Sequence, residues 1–362
     1  MGLELIKPDL NFNFLRYRKY AYVFSALLVL MGIVSLVYKG GPRYGVDFAG
    51  GMTIQLKFAK AVSPEEIKKP LDAAGLTGVF VQRMGQEKDN SFLLSASEKG
   101  EPLEQVRVKV ESALMAALGD GSFEVQRLEV VGPKVGADLR AGALNAIFYA
   151  VLLIAIYISG RFEQRWFAAG AMAAGLAIGI WLLSKAGLST GYLIVGALII
   201  TLALCWALKL KFALGALLAD IHDIFITVSI FSIFDLEFDL TVVAALLTIL
   251  GYSLNDTIIV FDRIRERLHG TKDEPLINLI NSAVNQTLSR TMLTSLITLF
   301  TVTVLFIFGG SVLKDFSLAM IIGILTGTYS SIFVASPILA DLGSGLDALQ
   351  REEPQAVQGG RA

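Results

Sequence analysis

Eight stretches of this chain are apolar and nearly free of charge, and no other feature restricts its fold as much. The first runs from Tyr20 to Tyr38. The others cover 141–160, 166–184, 188–208, 212–234, 240–261, 291–308 and 316–340. At ~1.5 Å rise per residue each is about long enough to cross a bilayer as a helix. The composition agrees, with 54% hydrophobic and 17% charged residues and a mean hydropathy of +0.62. Such values exclude an ordinary soluble globular protein and predict a polytopic α-helical membrane protein.

Residues 1–19 hold Lys7, Arg16, Arg18 and Lys19 just before the first run. A cleaved signal peptide would have a shorter apolar core and a small-residue cleavage site, so 20–38 reads as an uncleaved first span. Residues 39–140 differ in kind. In MTIQLKF, Met52, Ile54, Leu56 and Phe58 alternate with Thr53, Gln55 and Lys57, the period of a half-buried strand. Ser63-Pro64-Glu65-Glu66 then reads as an N-cap, a first-turn proline and a capping-box glutamate, with Gly75 ending the helix. Strands are expected near 78–84 and 90–96, joined by a turn at 85–89. A second helix starts near Pro102 and aligns Leu103, Val106, Val110, Leu114 and Ala117, and a last strand lies near 122–131. The order β-α-β-β-α-β predicts an α+β ferredoxin-like domain. Residues 141–340 return to the membrane as seven helices, and 341–362 form a polar tail.

The short loops predict the orientation. Arg161, Arg165, Lys209, Lys211, Arg263, Arg265, Arg267 and Lys272 fall on the side of the basic N-terminus. The opposite loops hold Lys185, Lys314 and the acidic Asp235, Glu237 and Asp239. The positive-inside rule puts both termini in the cytoplasm of a multi-pass protein, and 39–140 outside.

Several functions are disfavoured. A net charge of −1 gives no reason to expect nucleic acid. The single Cys205 excludes an intrachain disulfide, and His222 and His269 are too few and too distant to read as a metal site. With no phosphate-binding loop and no nucleophile elbow, neither an enzyme nor a bound cofactor is expected.

Three clusters of polar groups lie inside the apolar runs. Asp256 stands with Ser253 and Asn255 in LTILGYSLNDTIIVFDRIRE; a carboxylate at membrane depth costs ~2.5–3.5 kcal/mol on insertion scales and marks a functional hypothesis. Asp220, Asp223 and Thr227 share one helical face in LADIHDIFIT. Arg290 opens a run with Thr294 and Thr301 on its own side, at a depth comparable to Asp256, so the two charges are placed to pair. Burial favours a neutral carboxyl and a nearby arginine favours the ion, so such a set suits proton relay. Asp220 and His222 are expected nearer the water and structural, with His222 turned ~100° from Asp223. Gly175 with Gly179, and Gly323 with Gly327, are expected to allow close helix packing.

The chain resembles the SecF family, the smaller subunits of bacterial SecDF protein-export complexes within the resistance-nodulation-division superfamily. The resemblance is carried by YGVDFAGG at 44–51, VGPKVGADL at 131–139, RFE at 161–163 and IHDIFIT at 221–227. It continues through TVVAALLTILGYSLNDTIIVFDRIRE at 241–266, TLSRTMLTS at 287–295 and FGGSVLKDFSLAMIIGILTGTYSSIFVAS at 308–336. It implies an RND-like bundle around a proton path and an exported domain that touches the preprotein. The aspartate of GYSLND falls on Asp256, the arginine of SRT on Arg290 and the aspartate of IHD on Asp223. Implied partners are SecD, the SecYEG channel, YajC and YidC, and membrane lipid, in the bacterial inner membrane and powered by the proton gradient. A stand-alone exporter of lipids or small molecules on the same plan is the alternative. The chain departs from the family's six-span pattern at 166–210, where two extra helices are predicted. There RFEQRWFAAGAMA is similar to LKLKFALGALLA, as if a helix start had been repeated. FAGG also stands where FTGG is common in the family.

Overall fold

A computed structural model describes residues 11–76, 79–84, 89–96, 103–163, 166–185, 190–270, 274–310 and 312–343. Lys7, Arg165, Lys272, Pro102, positions 85–88 of the expected turn and the tail from 344 onward lie outside the described residues.

A helix α1 (Arg18–Lys39) leads through the short α2 (Val46–Ala49) into β1 (Gly51–Phe58), α3 (Pro64–Ala73), β2 (Val79–Met84), β3 (Ser91–Ala96), α4 (Leu103–Leu118) and β4 (Phe123–Val131). The strands form one antiparallel sheet in the order β2-β3-β1-β4. The alternation in β1 buries Met52, Ile54, Leu56 and Phe58 against Ile67 and Leu71 of α3 and Val106, Val110 and Leu114 of α4. The capping box is formed: the Ser63 amide donates to Glu66 Oε2 at 2.8 Å, and the Glu66 amide donates to Ser63 Oγ at 3.3 Å.

The bundle comprises α5 (Pro133–Glu163), α6 (Trp166–Lys185), α7 (Thr190–Ala207), α8 (Lys211–Ile233), α9 (Leu240–Gly270), α10 (Leu276–Phe308), α11 (Lys314–Ser330) and α12 (Ser336–Asp341). A π-helical turn at Ser331–Ala335 joins α11 to α12. Pro337 lies in the first turn of α12, where it lacks an amide for the preceding turn; the wider turn accommodates it, and Ser336 Oγ donates to the Ser331 carbonyl at 2.7 Å. Six described helices are long and apolar enough to cross a membrane: Phe14–Lys39, Pro133–Phe162, Lys211–Ile233, Leu240–His269, Leu276–Phe308 and Lys314–Asp341. The eight spans expected from sequence include α6 and α7, whose described apolar segments, Gly170–Gly179 and Val195–Ala207, are shorter. The protein is a multi-pass membrane protein.

In this bundle α8, α9 and α11 make the buried centre, and α1, α5 and α10 lie outside them. Gly323 and Gly327 bring α11 against Ile249 and Ser253 of α9; a Cβ on Gly327 would stand 2.9 Å from Ser253. Helices α6 and α7 form an antiparallel pair in which Gly175 faces Leu204 and Gly179 faces Ile200. That pair rests on α5, and α7 also touches α8.

The motif at 44–51 joins sheet and bundle. Gly45 N–H donates to the Phe238 carbonyl at 3.0 Å, and Phe238 N–H donates to the Arg43 carbonyl at 2.7 Å. Asp47 Oδ2 accepts from Leu240 N–H at 3.2 Å, at the start of α9. Gly50 has a φ of +74°, and a Cβ there would stand 2.8 Å from Pro133 Cα, so both backbone conformation and space call for glycine. Beside it Arg43 pairs with Asp235 at 3.0 Å and Glu237 at 3.5 Å, and its guanidinium lies 4.0 Å from the Phe80 ring centre of β2.

Candidate proton-relay site

The central helices meet in a layer of buried polar side chains. Asp223 and Asp256 are each only 1% exposed. Asp223 sits mid-way along α8, and its Oδ2 accepts from Ser253 Oγ of α9 at 2.6 Å and from Ser330 Oγ of α11 at 2.8 Å. Asp256 follows Ser253 by three residues, about one turn or ~4.5 Å along α9. Its Oδ2 accepts from Ser295 Oγ of α10 at 3.2 Å, and Ser295 Oγ accepts from Thr328 of α11 at 2.7 Å. Asp256 Oδ1 has no hydrogen-bond partner among the described residues. Thr257 and Ser331 exchange a hydrogen bond at 2.9 Å where the π-turn begins. Hydroxyls from α9, α10 and α11 thus line two carboxylates, an arrangement that tolerates either protonation state because each hydroxyl can reorient.

Asp223, Asp256 and Ser253 are brought together as the sequence suggests. The supporting residues behave differently. Asn255 is exposed on the outward face of α9, near Gly251. Arg290 is also exposed, near enough to Asp256 to act on it electrostatically. No direct ion pair joins the two among the described residues, because Arg290 occupies the outward face of α10 while Ser295 faces inward. Thr294 is half-buried and donates to the carbonyls of Arg290 at 3.1 Å and Thr291 at 3.0 Å; Thr301 donates likewise to Ile297. The threonine stripe bonds its own helix backbone, and Thr294 also acts on the Asp256 carboxyl.

The expectation for Asp220 and His222 is corrected. Both are buried, and His222 Nδ1 lies 3.0 Å from Asp223 Oδ1. Consecutive helical residues point ~100° apart, yet the imidazole reaches sideways to the neighbouring carboxylate. Residues that the sequence reading did not single out complete the layer: Ser25, Ser295, Thr328, Tyr329, Ser330 and Ser331. The run TYSS inside an apolar helix was the available signal. Ser25 is one of two serines in the apolar α1, and its role depends on which helix packs against it.

At the other end of the junction Glu237 lies outside the spans. Burial pushes its carboxyl up to about 7, and the nearby Asp315, Asp239 and Asp235 add to the rise while Arg43 opposes it. Asp239 is also raised, chiefly by burial.

Comparison with known proteins supplies the family. Residues 110–185 and 181–345 match the model described as protein export membrane protein SecD/SecF, C-terminal, and 38–62 match the SecD/SecF GG motif. The first of these models matches in two segments that overlap at 181–185, the end of α6. A protein translocase subunit SecF from Calditerrivibrio nitroreducens is 36% identical over 93% of this chain and 96% of its own length. One from Rhodothermus marinus is 37% identical over 96% and 98%. The crystal structure of SecDF, a translocon-associated membrane protein from Thermus thermophilus, aligns with a TM-score of 0.67 at 30% identity and covers 94% of this chain. This chain spans 39% of the length of that SecDF chain. The resemblance carried by the motifs is thereby established: the chain belongs to the SecD/SecF family of protein-export membrane proteins.

Proposed function

We propose that the protein is a translocase subunit, not an enzyme, that with a SecD partner uses the proton gradient to drive late stages of preprotein export through a SecYEG channel. The observation that carries this reading is the pair of buried carboxylates, Asp223 and Asp256, held by hydroxyls on the central helices of a membrane bundle. A charge crossing the field is worth ~2.3 kcal/mol per 100 mV. Protonation of Asp256 removes a charge from the layer, and loss of that proton restores it, so the layer is able to couple proton passage to helix movement. Arg290, exposed beside Asp256, is positioned to meet the carboxylate on a rearrangement or a partner's approach. Ser253 links the two acidic positions through its bond to Asp223, while Asn255 and Thr294 border Asp256 on the outward side.

The same reading has the sheet domain outside the cytoplasmic membrane, in contact with preprotein, and both termini in the cytoplasm. The strand order β2-β3-β1-β4 and two covering helices support a ferredoxin-like plan for that domain. We place α6 and α7 as a seventh and eighth span at the periphery, a view supported by their packing on α5. YajC and YidC are further partners within this proposal, lipid surrounds the bundle, and no resident cofactor is invoked. The family match does not favour the stand-alone lipid or small-molecule exporter.

The test is export by membranes containing the complete complex. Asp256→Asn keeps size and hydrogen-bonding capacity but cannot exchange a proton. The variant is expected to assemble with its SecD partner and to lose the uncoupler-sensitive part of export. Wild-type export with unchanged uncoupler sensitivity would sink the proposal.

A further inference from the structure

Beyond Asp223 and Asp256, the bundle holds a continuous line of hydrogen bonds that the relay described above does not use. Tyr329 Oη donates to the Ala21 carbonyl of α1 at 2.9 Å and lies 3.1 Å from Ser25 Oγ. Ser25 Oγ lies 3.0 Å from His222 Nε2, and His222 Nδ1 lies 3.0 Å from Asp223 Oδ1. The directions of these bonds follow from counting hydrogens. Tyr329 has one hydroxyl hydrogen, given to Ala21, so Ser25 must donate to Tyr329. The Ser25 oxygen then accepts from His222, which fixes a proton on Nε2. At the far end, Ser253 donates to Asp223 Oδ2 at 2.6 Å, and Ser330 shares its hydroxyl hydrogen between that oxygen at 2.8 Å and the Gly327 carbonyl at 3.1 Å; with both donating, Oδ2 carries no proton of its own. One proton therefore remains to be placed between His222 Nδ1 and Asp223 Oδ1.

We infer that His222 and Asp223 together hold one exchangeable proton, and that Ser25 and Tyr329 tie this station to helix α1. The inference rests on the proton-coupling reading for its use, but not for its chemistry. On loading, the Nδ1 lone pair takes a proton and the ring becomes an imidazolium neutralised by the Asp223 carboxylate. On unloading, that proton leaves and the neutral ring keeps its Nε2 hydrogen toward Ser25. Histidine suits this place because its two nitrogens serve two different partners at once. An imidazole here is a positioning and proton-holding group for Asp223.

The ionisable surroundings are few. Asp220 lies one turn earlier on α8, buried, with Oδ2 unpartnered among the described residues. Tyr329 of α11 stacks over the imidazole with ring centres 6.0 Å apart. One turn along α1, Tyr22 donates to Asp341 at the end of α12 at 3.0 Å, and Arg18 pairs with the same carboxylate at 3.1 Å. Helix α9 contributes Asp256, and α10 contributes Arg290 on its outward face. The line therefore points from the buried layer toward the bundle end that carries Arg18 and Asp341.

The chain has two histidines, which makes the test direct. Full-length protein bearing His269→Gln and labelled with 15N-histidine reports on His222 alone by NMR. The expected spectrum has a protonated Nε2 and an Nδ1 whose shift reports a proton shared with Asp223. Asp223→Asn is expected to convert the ring to its neutral form, with Nδ1 an acceptor only. Identical shifts at both nitrogens in the two proteins would overturn the station. Tyr329→Phe, a milder change, is expected to shift the Nε2 signal and leave Nδ1 in place. An Nε2 signal left unmoved by Tyr329→Phe would overturn the link to α1. The NMR readout does not depend on export, so its failure leaves the role of Asp256 standing. Conversely, full activity of Asp256→Asn with the expected NMR result would remove the coupling and keep the station.

Discussion

Beneath the four-stranded sheet the core consists of Met52, Ile54, Leu56, Phe58, Ile67, Leu71, Phe92 and their neighbours, all apolar. At the centre of the helix bundle, Asp220, His222, Asp223 and Asp256 are buried among hydroxyls. The two regions are buried for different reasons. The sheet core lowers free energy by removing apolar surface from water, at ~25 cal/mol per Å². The polar layer raises it, because each buried ionisable group must be compensated by partners. The difference teaches where to look for function: side chains whose loss leaves the fold intact or steadier are held for something other than stability.

That contrast can be broken in several ways. The largest stability effect belongs to the sheet. Leu71→Ala, which empties a fully buried site between α3 and the sheet, is expected to cost about 2–5 kcal/mol. Thermal unfolding of the full-length protein, followed through proteolysis of the sheet domain, measures it. Asp256→Asn in the same assay is expected to change stability little or to raise it. A loss as large as that of Leu71→Ala would assign the polar layer a structural role.

Next in size is the close approach of α9 and α11. Gly327→Val would place side-chain atoms against Ser253 and is expected to cost about 1–3 kcal/mol through overpacking. Gly175→Ala, which meets only the flexible end of Leu204 at 3.1 Å, is expected to cost less. Thermal unfolding of the two variants side by side ranks them, and equal losses would contradict the peripheral place given to α6 and α7.

An effect of similar size concerns pH at the junction between the two regions. The Glu237 carboxyl in the folded protein is raised to about 7, above its ordinary value near 4.3. The folded state therefore holds this proton more tightly than the unfolded state. The resulting stability is present below the unfolded value and is lost as pH rises through about 7. Glu237 is mostly buried beside Arg43, and the contribution is on the order of 1–3 kcal/mol. Melting temperature should fall between pH 5 and pH 8, and Glu237→Gln should flatten that slope. A slope unchanged by the substitution would remove Glu237 as its source.

The same contrast explains what could be read from the chain. The strand alternation in MTIQLKF and the capping box at Ser63 are local, so the sheet elements follow from neighbours in sequence. The long apolar runs likewise give the described membrane helices. Within the site, Asp256, Asp223 and Ser253 were legible because a charge or hydroxyl in an apolar run is rare. Ser25 and Tyr329 were not, because their meaning depends on α1 packing beside α8 and α11. Arg290 illustrates the opposite error. Equal depth on adjacent helices suggested a pair with Asp256, but depth does not fix the face: Arg290 is exposed and acts on Asp256 electrostatically without a direct ion pair among the described residues. His222 was misjudged for the complementary reason, since a long side chain can reach across the angle that separates helical neighbours.

The central claim is that this layer moves protons. Its most direct measurement is proton uptake into sealed vesicles reconstituted with the complete complex, followed with an internal pH-sensitive dye under an imposed gradient. The account predicts uptake by the wild type, and loss of that uptake in Asp256→Asn despite unchanged assembly and an undiminished melting temperature. Equal proton uptake by the two proteins would contradict it.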